Sequence, residues 1–157
     1  MKRQRADVPP EVLSRLRLVC LDLPEVVEQA AWVGTRWVVG AGTAKSKSAS
    51  KTKSKKNFAH VLMIEDGWPP AYAKAAGALA RRAGGGAVCV LTFRAAGPAL
   101  NAGRLARAPF FRPVWFPNIV GMVLDDATDW DVVGELLRRS YCVLAPKALA
   151  ARVTAME

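Results

Sequence analysis

Between Pro9 and Leu23 apolar residues recur at Leu13, Leu16, Val19, Cys20 and Leu23, a spacing of three and four that lines one face of a helix. Pro9 and Pro10 suit its opening turn, where no intrahelical amide is lost, and Pro24 marks its stop. The period then shortens. Val26 to Val33 and Thr35 to Val39 are rich in β-branched and aromatic residues, and Gly34 between them predicts the turn of an antiparallel pair. NFAHVLMI (57 to 64) is the clearest strand. Alternation puts Phe58, His60, Leu62 and Ile64 on one side and Ala59, Val61 and Met63 on the other, and because both sides are largely apolar the strand should be central.

Further along, AYAKAAGALARRAGGG (71 to 86) reads as an alanine-rich helix closed by three glycines that tolerate positive φ. AVCVLTFR (87 to 94) is a strand, and a weak helix follows near Pro98 to Ala106. PFFRPVWFP (109 to 117) has too many prolines for a regular element, and NIVGMVLD (118 to 125) is the last strand. The Thr128 hydroxyl is placed to cap the next helix by accepting the amide of Asp131, while Asp129 and Asp131 favour its positive start. Val133, Leu136, Leu137, Tyr141 and Leu144 make its buried stripe, and Pro146 opens a short final helix from Lys147. The connections are too short for many parallel crossovers. The expected class is α+β, a single domain over residues 1–157 with an antiparallel sheet and flanking helices.

Length agrees with one domain: 157 residues bury roughly 70 % of the surface of the unfolded chain. No run approaches the roughly 18 to 20 apolar residues of a membrane span. The basic start, MKRQRADVPP, meets prolines where a signal peptide has its apolar region, so the expected location is cytoplasmic, with no membrane partner. Cys20, Cys89 and Cys142 lie far apart in apolar segments and read as reduced, buried thiols.

Charge changes the picture. The chain carries a formal +10, but TAKSKSASKTKSKK (43 to 56) holds six lysines and no acid, and setting these aside leaves +4. Spaced by serine, threonine and alanine, these lysines cannot form an apolar face, so residues 41–56 are expected to be a disordered insertion at a hairpin tip. Such an arm either merely stays hydrated or collects phosphates with little sequence preference.

Candidate chemistry is sparse. A lone histidine, His60, sits mid-strand between apolar neighbours and reads as structural. GAGTAKSKS (40 to 48) lacks the glycine before its lysine and the following helix that a phosphate loop needs. Asp125, Asp126, Asp129 and Asp131 lack calcium-loop spacing, and no zinc spacing occurs. The five tryptophans suit packing better than base stacking. The expectation is a non-enzymatic protein with no catalytic residue, metal or cofactor.

Several segments, taken in order, resemble the MmcQ/YjbR family: LPEVVEQAAWVGTRWVV (23 to 39), KNFAHVLMIEDGWPPAYA (56 to 73), VLTFRA (90 to 95), PFFRPVW (109 to 115) and IVGMVLDDATDWDVVGELLRRSYCVLAPKALAARV (119 to 153). They cover nearly the whole chain. The resemblance implies a double-wing architecture similar to a DNA-binding domain, and nucleic acid, DNA first, as partner. The lysine stretch departs from the family pattern, which turns more tightly there. The expected contacts are Arg36, Lys45, Lys47, Lys51, Lys53, Lys55, Lys56, Arg81, Arg82, Arg94 and Lys147, with the folded residues forming one positive face. The alternative is a protein-interaction or scaffold domain whose lysine loop serves only solubility. Oligomeric state is not legible in the sequence.

Overall fold

The computed structural model describes residues 7–31, 33–39, 57–65, 67–77, 87–95, 110–111 and 118–156. Ten elements follow in order: α1 (Pro10–Cys20), β1 (Val26–Ala30), β2 (Thr35–Val39), β3 (Asn57–Ile64), α2 (Pro70–Ala76), β4 (Val88–Arg94), β5 (Phe110–Phe111), β6 (Ile119–Leu124), α3 (Trp130–Leu144) and α4 (Lys147–Met156). The strands form one sheet in the order β1-β2-β3-β4-β6-β5, with every neighbour antiparallel. The class is therefore α+β, as expected. Among the described residues no helix is long and apolar enough to cross a membrane.

The strand registers give the sheet two distinct ends. Val26, Val39, Asn57, Arg94 and Ile119 lie at one, here the Asn57 end, and Ala30, Thr35, Ile64, Val88 and Leu124 lie at the other, the Ile64 end. One face carries Trp37, Val61, Leu91, Phe93, Val120 and Met122, packed with Leu16 and Cys20 of α1 and Val133, Leu137 and Tyr141 of α3. The opposite face gathers Leu62, Ile64, Val88, Val90 and Val123 with Phe111, and Ala76 of α2 joins them. Burial on both faces explains why β3, β4 and β6 read as nearly continuous apolar runs.

Four local departures have physical causes. Phe58 does not share a face with His60 and Leu62: the register shifts between Trp37 and Val38, so Phe58 turns to the helix face and meets Tyr141 edge-on at 5.5 Å. Residues Phe110–Phe111, read as irregular, pair with β6. This pairing fits because a Cβ at Gly121 would fall 2.2 Å from the Phe111 ring; glycine leaves the ring its place. α2 closes at Gly77 (φ +57) rather than continuing to the later glycines, and the remainder of that expected helix, 78–86, lies outside the described residues. Finally, Asp129 and not Thr128 caps α3: its carboxylate accepts the amides of Asp131 and Val132, while the Thr128 hydroxyl accepts the amide of Asp125. The weak helix expected near 98–106 and the expected disorder of 41–56 also lie outside the described residues.

Candidate nucleic-acid interface

The Asn57 end of the sheet is where the lysine-rich segment is attached. Residues 40–56 leave β2 after Val39 and rejoin β3 at Asn57, so both anchors of the six lysines are at this end. Residues 112–117, which contain Arg112 and no acid, connect Phe111 to Asn118 here. Residues 96–109, with Arg104 and Arg107 and no acid, also depart from this end, after Ala95.

α3 delivers a further cation to the same place. Its start follows the Ile64 end of β6, and its last turns reach the Asn57 end, where the Ser140 hydroxyl accepts the Arg94 amide at 2.7 Å and donates to the Phe58 carbonyl. The Tyr141 hydroxyl donates to the Pro24 carbonyl, fixing α3 to the link that precedes β1. Lys147, exposed in the first turn of α4, follows directly. Asp22 and Glu25 lie in the link between α1 and β1, which enters the sheet at this end.

Acid collects at the Ile64 end. A groove there, formed by two overlapping depressions of about 420 and 430 Å³, is lined by Glu11, Asp125 and Asp126 with Pro9, Cys89 and Leu124. Arg15 crosses its rim over the Trp130 ring at 5.5 Å. Burial pushes the Cys89 thiol up to about 12, so it stays protonated and unreactive near neutral pH. Among the described residues no three His, Cys, Asp or Glu side chains are placed to hold a metal ion.

A row of polar side chains runs across the second face of the sheet at Gln29, Arg36, His60 and Thr92, which are successive cross-strand partners. His60 is 5 % exposed. Its Nε2 lies 2.7 Å from the Val33 carbonyl, which can only accept, so Nε2 carries the proton and Nδ1 accepts from the Tyr72 hydroxyl at 3.3 Å. Burial lowers its pKa, the Val33 hydrogen bond opposes that, and the nearby Arg36 charge adds to the lowering. The row is a satisfied internal network. Tyr72, twelve residues away on α2, carries no sequence signal as the partner of His60.

The expected contact residues therefore separate. The described anchors of the six-lysine segment, Val39 and Asn57, belong to one end of the sheet, the end that the last turns of α3, just before Lys147, reach. Arg36 lies in the middle of the second face, where its Nε and Nη2 donate to Gln29 Oε1 at 3.0 and 2.7 Å. Arg94 is at the Asn57 end but only 7 % exposed, and its guanidinium donates to the Asn57 carbonyl and to Asn118 Oδ1, tying three strand ends together. It is an internal brace, not an open phosphate contact. Arg81, Arg82 and the lysines themselves lie outside the described residues, and the segment that holds the two arginines rejoins the sheet at the opposite end, before Val88.

The single positive face expected of the folded body is not found among the described residues. Of the chain's 23 basic and 13 acidic residues, nine and eleven lie there, a formal −2 against +10 for the whole. The positive excess is carried by the residues outside these, eleven of its cations in the connecting segments and three, Lys2, Arg3 and Arg5, in residues 1–6.

The fold has a solved counterpart. The crystal structure of Deinococcus radiodurans protein DR2400, which has a DUF419 domain, superposes with a TM-score of 0.55 at 18 % identity, covering 90 % of this chain and 87 % of that one. DUF419 is the YjbR/MmcQ-like family. No family model matches the chain, and no curated protein matches it.

Proposed function

We propose that this chain is a nucleic-acid-binding protein of the MmcQ/YjbR kind, which holds the phosphate backbone, DNA first, at the Asn57 end of its sheet. The observation that carries this reading is the separation of charge. Both anchors of a segment with six lysines and no acid lie at the end of the sheet that the last turns of α3, just before Lys147, reach, while Asp7, Glu11, Glu65, Asp125 and Asp126 lie toward the other. A polyanion approaching such a molecule is oriented before contact, with the acidic end turned away. The quoted sequence blocks and the shared fold support the family reading.

In this proposal the folded body is an anchor and the connecting segments supply the cations. Ser140, Tyr141 and Arg94 fix the base of the lysine segment by clamping β3, β4 and α3 together. Each phosphate contact releases condensed counterions, which gives affinity without base readout. Binding through lysines of this kind is to the backbone and tolerant of sequence.

The test is fluorescence anisotropy with duplex and single-stranded oligonucleotides, at several salt concentrations, for the intact chain and for a deletion of residues 43–56. The reading requires salt-sensitive binding that weakens on deletion. Absence of binding by the intact chain at about 50 mM salt ends it and leaves a protein partner as the better explanation.

A further inference from the structure

The groove at the Ile64 end has an apolar floor and an acidic rim. Cys89 and Leu124, cross-strand partners in β4 and β6, lie in both of its depressions; Met63 and Val88 join them in one, Val12 and Trp130 in the other. Glu11, Asp125 and Asp126 stand against one cation among the described lining residues, Arg15, which is already held over the Trp130 ring. Glu11 and Asp126 are exposed, and among the described residues nothing hydrogen-bonds or ion-pairs with either.

The residues that lead into this groove complement it. Pro9 lines both depressions, and Asp7 and Val8 line a smaller one that shares Met63 and adds Glu65. Immediately before Asp7, residues 1–6 carry Lys2, Arg3 and Arg5 and no acid. Six extended residues reach up to about 20 Å, so these three cations are tethered within range of the rim whose charge they match. The lysine-rich segment, by contrast, leaves the sheet at the opposite end.

We propose that residues 1–6 turn back from Asp7 and dock in this groove, setting Arg3 and Arg5 against Glu11, Asp125 and Asp126. The segment brings a formal +3 to a lining of −2, three carboxylates less Arg15. Its long aliphatic stems cover Cys89 and Leu124 while the charged heads stay at the wet rim. In an extended segment residues 3 and 5 project to the same side, about 7 Å apart, so both meet one rim. An exposed ion pair is weak alone; the tether, which raises the local concentration to about the millimolar range, is what populates the contact. Docked, the segment ties the start of α1 to the Asp125–Thr128 turn that precedes α3 and holds three cations at the end remote from the lysine anchors. The proposal is independent of the nucleic-acid reading, and none of its readouts uses nucleic acid.

Amide NMR and zero-length carbodiimide cross-linking of the nuclease-treated full chain test it. Between the parent and Arg3→Gln with Arg5→Gln, shifts are expected at the Val88, Cys89 and Asp126 amides and at the Trp130 indole, and these differences vanish in about 1 M salt, where the Debye length is about 3 Å. Carbodiimide is expected to join Lys2 to Asp125 or Asp126 within the monomer, and the double variant, which keeps Lys2, lowers that yield at least about fivefold. Charge reversal separates pairing from mere proximity: Glu11→Lys with Asp126→Lys removes the salt-dependent shifts of Val88, Cys89 and the Trp130 indole, and adding Arg3→Glu and Arg5→Glu restores them. Arg81→Gln with Arg82→Gln leaves these signals in place. Groove signals indifferent to the Arg3 and Arg5 changes, Lys2 cross-links as frequent at Asp129 and Asp131 as at the groove, no restoration in the reversed pair, or a response confined to the Arg81 and Arg82 variant overturns the proposal.

Discussion

Ser140 stands between two strands that it does not belong to: its hydroxyl accepts the amide of Arg94 in β4 at 2.7 Å and donates to the carbonyl of Phe58 in β3. Because Phe58 is the residue displaced by the β2–β3 register shift, its carbonyl has left the regular ladder, and Ser140, fully buried, completes it. This hydroxyl thus joins the Arg94 guanidinium in fastening the base of the lysine-rich segment.

Ser140→Ala leaves a buried amide and a buried carbonyl without this partner. Unsatisfied buried groups cost about 1 to 3 kcal/mol each, so a loss of about 2 to 4 kcal/mol is expected from urea unfolding monitored by tryptophan fluorescence. Ser140→Cys, with a weaker donor and larger sulfur, should not restore the wild-type midpoint.

Gly34→Ala should be at least as damaging, for a different reason. The residue has φ +78, and an added Cβ would fall 2.0 Å from the Val61 carbonyl oxygen, a backbone atom that cannot swing aside. The β1–β2 hairpin would have to separate from β3, taking the Val33 carbonyl from His60. A loss of more than about 2 kcal/mol is expected, with amide exchange faster in β1 and β2 than in β4 and β6.

Much of this framework is legible in the sequence, because strands buried on both faces produce long apolar runs and the caps of α1 use proline chemistry. What escapes is non-local. Nothing near Arg94 in sequence says that Asn57 and Asn118 will meet its guanidinium, so a buried brace reads as a surface cation. Likewise Phe58 follows a perfect alternation until a bulge, set by its pairing with β2, rotates it. The sequence points to Thr128 as the α3 cap, but the Asp125 turn takes the threonine and Asp129, one residue on, supplies the acceptor. The net charge misleads in the same way: composition sums over the chain, whereas the described residues are slightly acidic and the excess of cations lies outside them, mostly in the connections.

His60 makes stability depend on pH in a defined direction. Its folded pKa lies below the ordinary value of 6.5, so the unfolded chain binds the proton more readily. The contribution is complete above about 6.5 and is lost as pH falls through the folded value. The Arg36 charge on one side and the Tyr72 hydroxyl on the other offer the imidazolium no counter-charge. Urea midpoints should therefore fall between pH 7.5 and pH 5.5, ~2 pH units spanning the histidine range, and His60→Gln should flatten that slope while lowering the midpoint at neutral pH. Glu28, whose carboxyl is held down by Arg17, acts in a separate window at lower pH, where its stabilisation disappears as the carboxylate protonates.

Salt dependence separates the roles of Arg94, Lys147 and the lysine segment. Six engaged lysines contribute about −5 to the slope of log affinity against log salt, which is roughly a thousandfold between 50 and 200 mM. Deleting residues 43–56 should therefore flatten the slope by up to that amount, and Lys147→Ala, removing one exposed cation, by about 0.9. Arg94→Ala should do neither. Its guanidinium is committed to Asn57 and Asn118, so the variant is expected to unfold at lower urea yet bind with the parental slope at temperatures where it remains folded. A slope that falls by about one unit in Arg94→Ala would mean that this guanidinium leaves its strand ends to meet phosphate, and the division between anchoring body and binding connections would then be mistaken.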